Sequence, residues 1–279
     1  MFACIIFSLP PKAAGIIEGL RLRLLGPEVA ISQEEAFGER FTLITVARCR
    51  NIASGWKAAE KALPPGAGFL ICPKGIEPPE RLAPPDFTRY ERALFARAAC
   101  ELAAGTIIPP YLRTAGLYDP HARHLSLPGA LLRSYTSVRV RTRETARYEA
   151  LAERLLEELG APVTVSENAS FDDCAIILCP DSDLPQRINP LIPVLSMRPA
   201  PGGTVFSEPA AAIRGRVPPG IDPRLLAGAL FELSPCAAPL LDVASLTLNG
   251  RRIPLERAKA LVGEARKVRD RAYAAAAYE

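Results

Sequence analysis

A chain of 279 residues, 49% of them hydrophobic and with a mean hydropathy of +0.11, can bury one large core or two ordinary ones, which excludes a disordered chain. Its formal net charge of +4 is spread along the chain, so no nucleic-acid footprint is expected and a surface with a mild preference for anions is. Seven cysteines without a paired two-residue spacing, no apolar run long enough to span a bilayer, and no basic leader predict a soluble, cytoplasmic protein with no zinc motif.

In chain order, Phe2–Phe7 is a continuous apolar run, the pattern of a strand buried on both faces of a parallel sheet. Lys12 to Leu25 has helical spacing, with Gly26 as its stop. Residues 28–32 and 41–47 read as strands, Asn51 to Leu63 as a helix carrying Trp56, and Gly68 to Cys72 as a strand. Asp86 is placed to cap a helix reaching about Ala104, with Phe87, Tyr90, Leu94, Ala98 and Leu102 on its buried face.

From 106 to 135 the periodicity fails, and prolines, glycines and both histidines, His121 and His124, crowd together. The stretch reads as a lid or as a crossing between lobes. A histidine pair supplies a base or two metal ligands, but no third ligand follows by spacing, and no metal is assigned.

Ser137 to Thr142 then alternates Val with Arg, which predicts a strand with one wet face, at an edge or beside a cleft. Arg143 to Leu159 is a helix, 162–166 and 174–179 are strands, and 192–196 and 204–207 are shorter ones. Asp222 caps a helix with Pro223 in its first turn, and Asn249-Gly250 is a strong hairpin signal. The last helix runs from about Leu255 to Ala277, with Ala258, Leu261, Val262, Ala265, Val268 and Ala272 inward and its basic residues outward.

Gly26, Val29, Ser32 and Phe37 recur at one fixed interval as Gly160, Val163, Ser166 and Phe171. This predicts an α/β fold of two related Rossmann-like lobes, each with a mostly parallel sheet flanked by helices. The lobes are 1–105 and 136–279, the latter ending in the hairpin and long helix, with 106–135 as a proline- and glycine-rich connector.

Ligands of such sheets bind beyond the carboxyl ends of the strands, and between lobes if there are two. The residues placed there include Thr142 and Ser196 and, as the candidate site, Cys49, Arg50, Asn51, Lys74, Arg143, Ser166, Asn168, Cys179, Asp181 and Asp183. Arg50, Asn51, Lys74, Arg143, Ser166 and Asn168 suit a small anionic metabolite in an inter-lobe cleft, with Cys179, Asp181 and Asp183 as reactive or orienting groups. Arg139 and Arg141 point the same way along their strand, either as an anion clamp or as a charged edge.

Cys49 and Cys179 follow equivalent predicted strands, one per lobe, and two thiols can act as base and acid on opposite faces of a carbon. In this the chain resembles the aspartate and glutamate racemases, which implies a cofactor-independent two-thiol enzyme with Cys49 and Cys179 as its catalytic pair. It departs from that pattern in the residues that follow, Arg50-Asn51 and Pro180-Asp181, and in lacking a glycine-rich opening loop.

No dinucleotide fingerprint, phosphate loop or nucleophile elbow occurs, because Gly66-Ala67-Gly68 precedes a strand instead of following one, and no cofactor is named by the sequence. A reading of a different class is a non-catalytic scaffold that forms a homodimer through the hairpin and the last helix.

Overall fold

The computed structural model describes residues 2–7, 26–49, 51–104, 109, 113–181, 184–185, 188–235 and 238–276. The helix expected over 12–25, together with Arg50 and Asp183, lies outside the described residues. The architecture is α/β, with two sheet-bearing units flanked by helices. The first unit comprises Met1–Glu91 and Ala212–Leu240, the second Arg92–Ala211 and Leu241–Glu279. Among the described residues, no helix is long and apolar enough to cross a membrane.

In the first unit, β1 (Phe2–Phe7) lies inside a four-stranded sheet, parallel to β3 (Glu39–Ala47) on one side and to β4 (Phe69–Ile71) on the other. Its apolar residues are buried on both faces, as a continuous run requires. β2 (Glu28–Ala36) completes the sheet as an edge strand antiparallel to β3.

The helix α1 (Ile52–Lys61) is started by a reciprocal cap, in which Asn51 Oδ1 accepts from the Ser54 amide at 2.8 Å and Ser54 Oγ accepts from the Asn51 amide. Gly55 lets this helix close on the sheet, since a Cβ there would stand 2.8 Å from the Phe7 ring. The helix expected from Asp86 is α2 (Thr88–Ala104), and α5 (Pro223–Leu233) is capped by Asp222 as expected, its Gly228 against Phe87.

The second unit is built on eight strands. They are β5 (Thr114–Tyr118), β6 (Ser137–Arg141), β7 (Val163–Ser166), β8 (Ile176–Cys179), β9 (Val194–Ser196), β10 (Val205–Ala211), β11 (Val243–Leu248) and β12 (Arg251–Pro254). Across the sheet the order is β7-β6-β5-β8-β9-β10-β11-β12, and the first six are parallel. Counted from β5, those six strands run 3-2-1-4-5-6, the order of the Rossmann sheet. β11 and β12 form the hairpin expected at Asn249-Gly250, where φ of 49° and 76° gives the turn its twist.

Three expectations need correction, and the matching stretches of the two units differ in their pairing: β2 folds straight back on β3, whereas β7 is an edge strand parallel to β6. The polar run Gln33-Glu34-Glu35 prolongs β2 to a two-residue turn, Phe37-Gly38, with φ of 56° and 79°. In the other half, Ser166 Oγ accepts from the Asn168 amide and turns the chain after four strand residues. Their common Gly-x-x-Val-x-x-Ser wording is shared local grammar, a left-handed glycine followed by a short strand.

The segment 106–135 is not without regular structure, since it holds β5, a central strand of the larger sheet, and the short helix α3 (Leu127–Leu131). β6 is not at an edge but lies between β5 and β7. Its arginine face is covered by the segment before β8: Arg139 binds Asp173 in a fork of 2.5 and 2.8 Å, and Arg141 lies 4.9 Å from the Phe171 ring centroid and donates to Ala169 O. The helix α6 (Leu255–Ala276) buries Leu255, Ala258 and Val262, but Val268 is 51% exposed and Arg269 only 1%. The buried stripe advances by alternating steps of three and four residues, and that rhythm puts position 269 inward and 268 outward.

Candidate functional site

The connection leaving β5 leads to β6, and the connection leaving β8 leads the other way, to β9. The carboxyl ends of β5 and β8 therefore border the point where the strand order reverses, where loops diverge and leave a crevice. Asp119 and His124 follow β5, Thr142 follows β6, Asp181 follows β8, and Ser196 ends β9.

Asp119 is fully buried and accepts three hydrogen bonds, from the Arg123 amide at 3.1 Å, the His124 amide at 2.8 Å and the Tyr148 hydroxyl at 2.7 Å. Tyr148 comes from α4 (Thr145–Leu159), and burial, then its bond to Asp119, pushes its pKa above the usual phenol range and holds the hydroxyl as a donor. The turn is tied to the end of β6 by the Asp119 amide on Arg141 O and the Arg143 amide on Pro120 O. His124, which is buried, shares a 2.9 Å hydrogen bond between its Nε2 and Asp181 Oδ1. Asp181 Oδ2 and Ser196 Oγ are buried without a hydrogen-bond partner among the described residues. Nearly all buried polar atoms in folded proteins find partners, so these two at adjoining strand ends stand apart.

The structure brings only some of the expected residues to this edge. Asp181 stands at its centre, with Ser166 at the end of β7 and the exposed Arg143 and Asn168 on the loops after β6 and β7. Cys179 is fully buried in the apolar cluster around Ile177 and Val194. Cys49, Asn51 and Lys74 belong to the first unit. There Cys49 is buried and donates to Val46 O, and burial pushes its pKa up, the setting of an inert structural thiol. Asn51 is spent as a helix cap, and Lys74 is exposed, its amide donating to Gly220 O. Thr142 and Ser196 are placed at strand ends by the sequence, whereas Asp119 and Tyr148 are not. The one available signal was Tyr148, a tyrosine on a buried helix face whose hydroxyl needs a partner. Among the described residues, no group of three or more His, Cys, Asp or Glu is arranged to hold a metal ion.

A Rossmann-ordered sheet implies a dinucleotide, whose pyrophosphate rests on free amides of a glycine-rich turn after the first strand. The residues here do not fit that group. The turn after β5 reads Asp119-Pro120-His121-Ala122-Arg123-His124, Pro120 has no amide proton, and the amides of Arg123 and His124 are already taken by Asp119. An internal carboxylate thus takes two of the amides that a pyrophosphate would need.

No family model and no curated protein matches the chain. Among solved structures, it is similar to Thermococcus litoralis Δ1-pyrroline-2-carboxylate reductase in complex with NADH and L-proline, at 11% identity and a TM-score of 0.31 over 65% of this chain and 61% of that one. It is also similar to a shikimate dehydrogenase in complex with NADP+ (10% identity, TM-score 0.36, 94% of each chain). A third is the Mycobacterium tuberculosis shikimate dehydrogenase, at 12% identity and a TM-score of 0.32 over 95% of this chain and all of that one.

Proposed function

We propose that the second unit binds a small anionic metabolite bearing a hydroxyl or ammonium group at the carboxyl edge of its sheet, without a dinucleotide. The observation that carries this reading is Asp181, held by His124 through Oδ1 and left with a buried Oδ2 that has no partner among the described residues, where the connections leaving β5 and β8 diverge. A buried carboxylate oxygen with no donor costs the fold free energy that a ligand hydroxyl or ammonium returns on binding. The exposed Arg143 at the end of β6 offers the counter-charge for the ligand's anionic group. An imidazole–carboxylate pair can also pass a proton to or from a bound group, which gives the site the means for acid–base chemistry. The scaffold alternative is less well supported, because the apolar residues Leu255, Ala258 and Val262 of α6 are buried within their own chain.

A thermal-shift screen of small hydroxy- and amino-carboxylates tests the reading, with Asp181→Asn run beside the wild type. At a hundred times its dissociation constant a ligand adds about 2.7 kcal/mol of stability. The expected result is a set of stabilising compounds whose effect is lost or weakened at least tenfold in Asp181→Asn. Compounds that stabilise both proteins equally, or none that stabilise the wild type, would remove the site.

A further inference from the structure

The amino edge of the same sheet carries a second, separate feature. A pocket of about 470 Å³ opens there, lined by Thr114 at the start of β5, by Asp172 and Asp173 just ahead of β8, and by Arg266, Arg269, Asp270 and Tyr273 of α6. Arg269 is the largest fully buried side chain of the protein's described residues. A guanidinium stays charged in proteins and carries five donor hydrogens in a fixed fork. Among the described residues, Arg269 uses only Nη1, donating to the Cys174 carbonyl at 2.5 Å, while Nε and Nη2 are buried without a partner.

The acids around it are already engaged elsewhere. Asp173 is forked by Arg139, Asp270 is paired with Arg266 at 2.9 Å, and Asp172 accepts from the Ser170 hydroxyl at 2.6 Å. No ion pair reaches Arg269 among the described residues, and burial pulls its pKa below the usual guanidinium range. A buried charge held by one neutral carbonyl is among the costlier arrangements a fold can keep. Nε and Nη2 form one side of the guanidinium, with two parallel N–H bonds spaced to match the two oxygens of a carboxylate. Their shelter from bulk water strengthens any pairing made there.

We propose that this pocket binds a small carboxylate, its two oxygens taking the Nε–H and Nη2–H of Arg269 while an ammonium or hydroxyl of the same molecule meets Asp172. The three aspartates on or beside the wall make the site hostile to a phosphate dianion, so the ligand class is an amino- or hydroxy-carboxylate rather than a phosphate ester. The carboxyl-edge reading is independent of this one, and Asp181→Asn leaves this pocket intact.

The test is a titration of the uniformly ¹⁵N-labelled full chain with acetate, glycine, L-alanine and inorganic phosphate, each against sodium chloride of equal ionic strength. The readout is the Arg269 Nε–H resonance, assigned by its disappearance in Arg269→Lys. A saturable shift with glycine or L-alanine, and calorimetric binding at least tenfold weaker in Arg269→Lys, is the expected result. Shifts no larger than those of sodium chloride, phosphate binding tighter than any carboxylate, or unchanged affinity in Arg269→Lys would overturn the proposal. Should Arg269→Lys fail to fold, Asp172→Asn at an exposed position decides the matter: it weakens glycine but not acetate if the assignment holds, and equal glycine affinity refutes it.

Discussion

Gly116→Ala is the substitution whose consequence the structure defines most sharply. Gly116 is the middle residue of β5, and a Cβ built on it stands 2.7 Å from Cδ1, 3.1 Å from Cε1 and 3.2 Å from Cγ of Phe171. The ring is 5% exposed and carries the Arg141 guanidinium on its other contacts, so it has little room to retreat. Overpacking of this kind costs about 1–3 kcal/mol. Loss of the guanidinium–ring contact adds about 0.5–1 kcal/mol, and the lower entropy of an unfolded alanine returns about 0.4–1 kcal/mol. The net expectation is a loss of about 2 kcal/mol. The single tryptophan, Trp56, belongs to the first unit, so urea unfolding should be followed by far-UV circular dichroism, which sees both. Phe171→Leu in the same background should recover part of the loss, giving a coupling of about 0.5–3 kcal/mol between neighbours in contact. A Gly116→Ala protein as stable as the wild type, or strict additivity of the two changes, would refute the packing argument.

Other substitutions probe the rest of the account. Asp119→Asn removes one oxygen from a carboxylate serving three donors and should cost about 2–4 kcal/mol in urea unfolding, more than Tyr148→Phe at about 1–2 kcal/mol. The reverse order would mean that Asp119 does not hold the turn. Gly228→Ala brings a Cβ within 2.6 Å of Phe87 Cγ and should lower first-unit stability by about 1–3 kcal/mol, read by Trp56 fluorescence; an unchanged midpoint would contradict it. Burial pushes the Cys72 and Cys174 thiols up to about 12 from 9.0, so the folded state keeps protons that the unfolded chain releases. Their contribution is fully present below pH 9 and is lost as pH rises towards 12, by about 1.4 kcal/mol per pH unit for each thiol. Cys174→Ala should flatten this decline when stability is measured between pH 9 and 10.5, and an unchanged slope would contradict the assignment.

Much of this architecture is written in short-range patterns. The apolar run of β1, the helical spacing from Phe87 to Leu102, the Asp222 cap and the Asn249-Gly250 hairpin each follow from local chemistry and are found in the structure. β5 escaped notice because Thr114-Ala115-Gly116-Leu117-Tyr118 is only five residues long, with a glycine in place of a packed side chain at its centre. Without β5 the strand order could not be read, and the site depends on that order. Asp181 was legible as a strand-end acid, but its partner His124 is 57 residues away in sequence and meets it only through the pairing of β5 with β8. Arg269 is hidden for a different reason: a charged residue beside an apolar Val268 reads as solvent-facing, and only the helical rhythm of Leu255, Ala258 and Val262 turns it inward.

The most direct test of the central claim, that the turn after β5 is closed by Asp119 and serves a ligand other than a dinucleotide, is a fluorescence titration of the wild-type protein with NADH and NADPH. The structure predicts no saturable binding up to about 1 mM, a free energy no stronger than about −4 kcal/mol. Saturable binding of either dinucleotide in the micromolar range would contradict it.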